Sequence, residues 1–255
     1  MKNPRVGIGV ITYNRPVHLS VLLESLNKFT PEEYEIVVFD DATALSYEES
    51  LHGLYPVLKS QVNHGVIINK NRALFFFNEI HRKDIVILIE DDCLIEKSDW
   101  VEVWANITLE YGHMNYLPPW FTDRNHLKFR LRAPDSMHSP ALFTVVTGQV
   151  TGIRMDVLNN EVGYLNPQFK GYGHGHVEWT NRFIELGYGG SLENGARSYF
   201  SLAYGIGVQK SISNRLDSQL LTNSKLFNQF GGKGAFVRIP WETEAERADF
   251  ANLSN

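Results

Sequence analysis

Residues 85–92 read IVILIEDD, an unbroken apolar run that ends in the three acids Glu90, Asp91 and Asp92. A run that is apolar on both faces is typical of an interior strand of a parallel sheet, because helices cover both sides of such a sheet. Open sheets of this kind bind their ligands at the carboxyl ends of their strands. The stretch therefore predicts a strand over residues 84–89 whose acids lie at a ligand-binding edge.

The sequence before this strand alternates strand-like runs with helical patterns. Strands are predicted at residues 6–12, 34–39 and around 56–62, and helices at 16–29 and 69–81. This order is typical of a mostly parallel central sheet flanked by helices. The predicted class is therefore an α/β, Rossmann-like fold.

The sequence after the strand predicts a more varied set of elements. They are a helix at residues 98–112 with Ser98 as its N-cap, an irregular proline-rich loop or lid at 115–140, a β-rich stretch at 141–154, and helices at 177–186 and 216–230. Trp100 and Trp104 are predicted core residues of the first of these helices. Since neither an internal repeat nor a flexible linker is present, one domain is predicted over residues 1–255.

Composition limits the classes of function. The chain has 255 residues, is 43% hydrophobic and carries a net charge of -5, so it can bury a sizeable core and is a poor partner for nucleic acid. Its single cysteine, Cys93, cannot form an intrachain disulfide, which is typical of a reducing, cytoplasmic setting. No apolar run approaches the roughly 20 residues of a membrane span, so contact with the inner face of a membrane would be peripheral.

The three adjacent acids predict a cation site. Adjacent carboxylates at a partly desolvated strand end repel one another and raise one another's pKa unless a cation compensates. A hard divalent ion such as Mg²⁺ or Mn²⁺ is the simplest compensation, and such ions usually share their shell with substrate phosphates. The competing interpretation is a solvated surface turn. Cys93, next to the acids, is interpreted as a small buried hydrophobe.

Further polar residues follow the neighbouring strands, at the same predicted edge of the sheet. They are Thr12, Tyr13, Asn14 and Arg15 after the first strand, and Asp40 and Asp41 after the second. Such groups can hydrogen-bond a base and a ribose while a cation neutralises a pyrophosphate. The sequence therefore predicts a nucleotide pocket.

In this order, the motifs resemble those of the glycosyltransferases with the GT-A fold, most closely the large inverting family 2, which uses nucleotide diphosphate sugars. The motifs are VITYNRP at 10–16, VVFDDAT at 37–43, NHG at 63–65, NKNRAL at 69–74 and ILIEDD at 87–92. The resemblance implies that residues 1–95 bind the nucleotide sugar and that 96–255 form the acceptor half with a C-terminal tail.

The resemblance also assigns roles to single residues. It implies that Asp41 contacts the base, that Lys70 contacts the nucleotide, that Glu90 or Asp91 reaches the ribose or a metal-bound water, and that Asp92 holds Mn²⁺ or Mg²⁺. An acceptor such as Asp41 suits the N3–H edge of uracil or thymine, so a UDP or dTDP sugar is favoured as the donor.

A later segment, GYGHGHVEWTNR at residues 171–182, resembles the acceptor side of the family. Where the family usually has a Glu-Asp pair whose Asp acts as the base, this chain has Gly175 and His176, and the next acid is Glu178. Both His176 and Glu178 are candidate bases, since neutral imidazole and carboxylate can each accept the proton of a hydroxyl group. His174 is a candidate metal ligand, because Mn²⁺ tolerates imidazole. Trp179 is interpreted as core or as a platform for an acceptor sugar.

The predicted reaction is inverting transfer of the sugar to a hydroxyl of a glycan or glycolipid acceptor. Because the Glu-Asp pair is missing, a non-catalytic nucleotide-sugar-binding module is the alternative. A dinucleotide-dependent oxidoreductase is disfavoured, since Gly7 and Gly9 lie inside the first strand rather than in the turn after it. A nucleotidyltransferase would need a glycine-rich basic loop after that strand, and the sequence has none.

Overall fold

The computed structural model describes residues 4–44, 53–123, 125–210, 217–232 and 234–254. The strands are β1 (Val6–Thr12), β2 (Glu35–Asp40), β3 (Val57–Lys59), β4 (Ile85–Glu90), β5 (Cys93–Ile95), β6 (His113–Tyr116), β7 (Arg130–Arg132), β8 (Ala141–Phe143), β9 (Thr147–Arg154), β10 (Gly190–Glu193), β11 (Ala196–Leu202) and β12 (Ile206–Val208). The helices are α1 (Pro16–Phe29), α2 (Val66–Phe75), α3 (Trp100–Tyr111), α4 (Met155–Val157), α5 (Gly175–Glu185), α6 (Asp217–Gln229) and α7 (Glu244–Ala251).

One large sheet organises the chain, in the order β3-β2-β1-β4-β9-β6-β11-β8-β7, with β10 paired to β11. The first four strands of this order are parallel, and β9 joins them antiparallel to β4. Strands β5 and β12 form a small second sheet. The predicted α/β class, a central sheet flanked by helices, is confirmed.

Strand β4 separates two hydrophobic cores. Ile85, Ile87 and Ile89 point to the core formed with α1 and α3, which includes the buried tryptophans of α3. Val86 and Leu88 point to the opposite core, formed with α2 and α5. Because successive side chains of a strand alternate between faces, a strand covered on both sides must be apolar throughout. This explains the unbroken apolar run in the sequence.

The two glycines of β1 serve close packing. A Cβ on Gly7 would lie 2.5 Å from Cδ1 of Phe77, and a Cβ on Gly9 would lie 3.0 Å from a methyl carbon of Leu88. A larger residue at either position would therefore push the neighbouring elements away from the sheet. Close packing in the core therefore explains why both positions are glycine, without a dinucleotide-binding role.

Several boundaries differ from the predictions. Helix α2 starts at Val66, directly after Gly65 with its φ of 90°, and continues into a π-helical segment at Phe76–Ile80. The N-cap of α3 is Asp99, so the prediction of Ser98 was wrong by one residue. The predicted helix 216–230 is α6, and residue 216 lies outside the described residues.

The predicted loop at 115–140 is irregular for about half of its length. It also contains the end of β6, two short 3-10 helices at Pro119–Thr122 and Leu127–Phe129, and the short strand β7. Strand β7 lies at the end of the large sheet, and all three of its residues are exposed. In the part of the chain that the structure describes, no helix is both long enough and apolar enough to cross a membrane.

Candidate active site

The carboxyl ends of β1, β2 and β4 lie side by side, because Thr12 pairs with Asp40 on one side and Ile11 pairs with Glu90 on the other. The polar residues that follow these strands are therefore brought to one edge of the sheet. This is the edge at which parallel α/β sheets bind ligands.

The acidic turn at residues 90–92 is held by β1 and the turn after it. The hydroxyl of Thr12 donates to Oδ2 of Asp91 at 2.7 Å, and Nη1 of Arg15 lies 3.3 Å from Oδ1 of Asp91 and 3.8 Å from Oδ2 of Asp92. Burial raises the pKa of Asp91 to about 6, although the Thr12 hydrogen bond and the charge of Arg15 act to lower it. The guanidinium of Arg15 thus offsets part of the repulsion between the acids.

Glu90, the first acid, is paired with Lys70. Nζ of Lys70 lies 2.6 Å from Oε1 of Glu90 and donates to the carbonyl oxygen of Gly148, also at 2.6 Å. The Lys70 side chain is only 3% exposed. Two residues that the resemblance places on the nucleotide therefore contact each other directly, and they fasten α2 and β9 to the end of β4.

Asp92, the predicted metal ligand, contacts a residue that the sequence did not single out. The amide of Gln149 donates through Nε2 to Oδ1 of Asp92 at 3.2 Å. The other amide atom of Gln149, Oε1, is buried and has no hydrogen-bond partner among the described residues. Because β9 runs antiparallel to β4, its first residues lie beside the acidic turn.

These residues fit a hard divalent cation shared with a phosphate ligand. Such ions are bound by oxygen atoms, and Mg²⁺ typically uses one or two carboxylates together with substrate phosphates and water. The carboxylate of Asp92 and the unsatisfied oxygen of Gln149 are atoms of this type. Within the described ranges, no group of three or more His, Cys, Asp and Glu side chains is arranged to hold a metal.

Asp41 is enclosed by the loop at residues 63–65. Its Oδ1 accepts the backbone N–H of His64 at 2.9 Å, and its Oδ2 accepts the backbone N–H of Gly65 at 2.7 Å. Burial raises the pKa of Asp41, against the lowering effect of these two hydrogen bonds. The backbone N–H of Asp41 donates to the carbonyl oxygen of Thr12 at 3.1 Å, which ties this acid to the end of β1.

The turn after β1 presents an aromatic ring. Asn14 adopts a left-handed conformation with φ of 55°, and its backbone N–H donates to the hydroxyl of Thr43 at 2.7 Å. Tyr13, directly before it, is 41% exposed. The tight turn therefore leaves the tyrosine ring accessible at the same edge as the acids.

Gln209 is a further residue that the sequence did not indicate. Its backbone N–H donates to the carbonyl oxygen of Asp92 at 2.7 Å. Its side-chain Nε2 lies within hydrogen-bond distance of three further carbonyl oxygens, those of Asp91 at 3.0 Å, Cys93 at 2.7 Å and His18 at 2.9 Å. One side chain thus fastens the backbone of the acidic turn to α1. The pairing of β12 with β5 places it there, and no local pattern in the sequence indicates this pairing.

The sequence predicts that a metal–nucleotide complex binds at the acidic turn, and replacing Gln209 with glutamate is expected to weaken this predicted binding about tenfold. The two side chains have the same shape. The amide shares two N–H donors among the three carbonyl oxygens, whereas a carboxylate has none, and a buried group left unsatisfied costs about 1–3 kcal/mol. Calorimetric titration of UDP with Mn²⁺ measures the effect. Gln168→Glu, which introduces the same charge at an exposed position, should bind like the parent. Equal affinity in both variants would contradict the role of Gln209.

Glu178, one of the two candidate bases, is buried in an ion pair. It is 0% exposed, and its Oε1 lies 3.0 Å from Nε of Arg182. Arg182 also donates to the carbonyl oxygens of Val162 at 2.7 Å and Tyr164 at 2.8 Å. Burial raises the pKa of Glu178, against the lowering effect of Arg182. The spacing of four residues between the partners is typical of a helical ion pair and was visible in the sequence.

His176, the other candidate base, lies against β9. A Cβ on Gly148 would come within 2.9 Å of Cγ of His176, and Gly148 is the residue whose carbonyl oxygen accepts from Lys70. Burial lowers the pKa of His176 well below its ordinary value of 6.5, and the charge of Lys70 lowers it further. The imidazole is therefore neutral at pH 7.

The hydrogen bonds of His176 indicate its tautomer. Its Nε2 lies 2.9 Å from Oδ1 of Asn115, and the amide nitrogen of Asn115 donates to the carbonyl oxygen of Phe200 at 3.3 Å. This assignment of the amide makes Oδ1 an acceptor, so Nε2 carries the proton and Nδ1 is left with a free lone pair. Nδ1 is buried without a well-formed hydrogen bond among the described residues, although a backbone hydrogen bond between the ring and Thr147 acts to raise the pKa of His176.

His174, the predicted second metal ligand, contacts α6. Its Nε2 lies 2.9 Å from the hydroxyl of Ser224, and its ring stacks on Phe227 with a centroid distance of 4.9 Å. No contact between His174 and Asp92 is present in the described part of the chain, so its metal role stays a prediction without structural support. Trp179 is fully buried and donates to the carbonyl oxygen of Gly163, which makes it a core residue and not a sugar platform.

Comparison with known proteins gives a family match. The model of the family described as "Glycosyl transferase family 2" matches residues 8–159, which are 152 of the 255 residues. The match runs from within β1 to beyond β9 and therefore includes the carboxyl ends of β1, β2 and β4. No curated protein sequence matches the chain significantly.

Solved structures of glycosyltransferases share the fold. The chain superposes on GalNAc-T7, solved with UDP, GalNAc and Mn²⁺, with a TM-score of 0.62 and 13% identity over 88% of this chain and 48% of that one. The mannosyltransferase PcManGT from Pyrobaculum calidifontis, solved with GDP-Man and Mn²⁺, superposes with a TM-score of 0.56 and 16% identity over 84% of this chain and 59% of that one. S. aureus TarS 1-349 superposes with a TM-score of 0.52 and 18% identity over 77% of this chain and 60% of that one. The chain thus spans about half to three fifths of the length of these proteins.

Proposed function

This chain belongs to glycosyl transferase family 2, and we therefore propose that it transfers a sugar from a nucleotide diphosphate donor to a hydroxyl group of a glycan or glycolipid acceptor. The observation that carries the proposal is the meeting of Thr12, Arg15, Lys70 and the acidic turn at one sheet edge. Residues 1–95 would form the donor half and residues 96–255 the acceptor half. The single buried cysteine supports a reducing, cytoplasmic setting.

For the donor, we propose that Asp41 accepts the N3–H of uracil or thymine. Each carboxylate oxygen has two lone pairs. Oδ1 accepts from His64 and from the hydroxyl of Ser60, whereas Oδ2 accepts only from Gly65, so Oδ2 keeps acceptor capacity for the base. Tyr13 is exposed beside this position and offers a ring on which a base can stack. Together with Asn14 these residues would form the base pocket, and UDP or dTDP sugars are the favoured donors.

For the cation, we propose that Asp92 holds Mn²⁺ or Mg²⁺ and that Gln149 supports it. When bound, the ion offsets the charge that develops on the leaving diphosphate, a Lewis-acid role. Two of the structurally similar enzymes were solved with Mn²⁺, one with UDP and the other with GDP-Man, which supports the choice of ion. Arg15 and Lys70 add positive charge at the same edge, and Glu90 or Asp91 is the proposed partner of the ribose.

For the base, we propose His176 rather than Glu178. His176 is neutral, lies beside the Lys70–Glu90 pair and has an Nδ1 without a well-formed hydrogen bond, whereas the carboxylate of Glu178 is committed to Arg182 inside the core. Catalytic hydrogen bonds are often completed only when the substrate is bound. An acceptor hydroxyl that gives its proton to Nδ1 would attack the anomeric carbon in a single displacement, which inverts its configuration.

One specific observation favours a second candidate function, a non-catalytic nucleotide-sugar-binding module. The chain has Gly175 and His176 where the family usually has its Glu-Asp pair. A protein that has lost its base would bind nucleotide sugars without transferring them. Release of UDP from the donor, in transfer or in slow hydrolysis, separates the enzyme from the binding module.

Binding of nucleotides with Mn²⁺ tests the donor site. At a ligand concentration of 100 times Kd, the free energy of unfolding rises by about 2.7 kcal/mol, which a thermal melt detects. We expect UDP and dTDP with Mn²⁺ to raise the melting temperature most, GDP and CMP less, and every nucleotide less in the presence of EDTA. GDP as the best ligand would contradict the role of Asp41, and no shift with any nucleotide would contradict donor binding.

A further inference from the structure

The loop that holds Asp41 is tied to the far end of the chain. Nε2 of His64 lies 2.7 Å from Oδ2 of Asp249, and both side chains are only 6% exposed. A histidine N–H that donates to a buried carboxylate forms a strong, charge-assisted hydrogen bond. The backbone N–H of His64 therefore contacts Asp41, while the side chain of His64 contacts Asp249 of α7.

Helix α7 is itself firmly anchored. Its N-terminus has a capping box. The side chain of Thr243 accepts the backbone N–H of Glu246, and the side chain of Glu246 accepts the backbone N–H of Thr243. Glu246 also pairs with Lys170 at 2.8 Å. At the other end of the helix, Phe250 packs edge to face on Phe75 with a centroid distance of 5.4 Å. The carboxylate of Asp249 is thus presented by a helix that is fixed at both ends.

The geometry of the loop transmits this support to Asp41. Its two shortest hydrogen bonds come from the backbone N–H groups of His64 and Gly65, one to each oxygen, and the hydroxyl of Ser60 lies 3.4 Å from Oδ1, so the carboxylate is oriented mainly by the backbone of the loop. Gly65 has a φ of 90°, a conformation in which side chains are strained. Because backbone hydrogen bonds hold Asp41, anything that moves the backbone of His64 moves the carboxylate.

We infer that Asp249 and His64 are positioning residues for recognition of the donor base. Asp249 holds His64, and the backbone of His64 holds Asp41 in the orientation that meets the base. This inference rests on the proposed function, in which Asp41 reads the base. It assigns part of the donor selectivity to a helix at the opposite end of the sequence, outside the segment that the family model matches.

The test compares variants of Asp249. We expect Asp249→Ala to raise Kd for UDP with Mn²⁺ about tenfold, and Asp249→Asn to raise it less, because an amide oxygen still accepts from His64. The preference for UDP over GDP should fall in parallel, while kcat at saturating donor stays within about twofold of the parent. Glu244→Gln, an exposed acid on the same helix, is the matched control and should leave all three quantities unchanged.

His64 variants complete the test. His64→Gln keeps a donor toward Asp249 and should retain most of the affinity for UDP, whereas His64→Ala should lose it. The double variant His64→Ala with Asp249→Ala should bind no worse than the worse single variant, because both remove one interaction. If Asp249→Ala does not fold, Asp249→Asn and His64→Gln still decide the question.

The outcomes separate two failures. If the parent protein does not bind UDP with Mn²⁺, the proposed function itself is wrong. If the parent binds and the Asp249 variants lose thermal stability but keep the parent's Kd and its preference for UDP, the pair is purely structural and the inference is overturned. Additive losses in the double variant would also overturn it.

Discussion

Asp92→Asn is expected to reduce the rate of sugar transfer about a thousandfold. A Lewis acid contributes several kcal/mol to charge stabilisation in the transition state, and each 1.4 kcal/mol is a factor of ten in rate. The amide has the same shape as the carboxylate, and the neighbouring Gln149 can still form a hydrogen bond to its oxygen. The melting temperature without ligand should therefore stay close to that of the parent. The measurement is the initial rate over a titration of Mn²⁺, together with binding of Mn²⁺ by calorimetry.

Asp84→Asn is the matched control for this experiment. Asp84 precedes the other end of β4 and forms an exposed ion pair with Arg5, so the substitution changes the charge equally, away from the site. Exposed pairs contribute little to stability. The control should transfer sugar at the rate of the parent. Full activity of Asp92→Asn at every concentration of Mn²⁺ would show that this carboxylate does not hold the cation.

His176→Gln is expected to lower kcat by about 10²–10⁴, the range of a lost general base. Glutamine retains a donor toward Asn115 but has no nitrogen that accepts a proton at neutral pH. The affinity for UDP with Mn²⁺ should remain within about twofold of the parent, because the donor residues are unchanged. Steady-state kinetics and calorimetry on the same preparation separate the two effects.

Glu178→Gln distinguishes the two candidate bases. Removing one partner of a buried ion pair costs roughly 3–5 kcal/mol, since the charge of Arg182 remains inside the core. We therefore expect this variant to unfold at lower denaturant concentration and, where it is folded, to keep kcat. The reverse pattern, with normal kcat in His176→Gln and a folded but inactive Glu178→Gln, would return the role of base to Glu178.

The elements that the sequence predicted best are those whose pattern is local. Strand β1 and helix α1 agree with the predictions at both ends, because an apolar run and a single amphipathic stripe each define one element. The sequence also predicted, for a general reason, that Thr12, Asp40 and Glu90 lie at one edge of the sheet. Parallel strands have their carboxyl ends on the same side, so the residues after them must be neighbours.

What the sequence could not predict depends on contacts between distant segments. Gln209 reaches the acidic turn because β12 pairs with β5, and the two strands are separated by more than 100 residues. His64 and Asp249 meet only because α7 returns to α2 at the end of the chain. The ion pair of Glu178 was missed for a different reason. The family resemblance drew attention to the nearest acid, while the helical spacing to Arg182 indicated its true partner.

Strand β7 bears on how the protein behaves at high concentration. The last strand of a sheet has unpaired backbone groups that can recruit a strand from another molecule, which is a route to aggregation. Here that strand is only three residues long, and Arg130 and Arg132 lie exposed on it. Two molecules that approached through this border would bring guanidinium groups of like charge together. The border of the sheet is thus protected against fibre growth by its brevity and its charge.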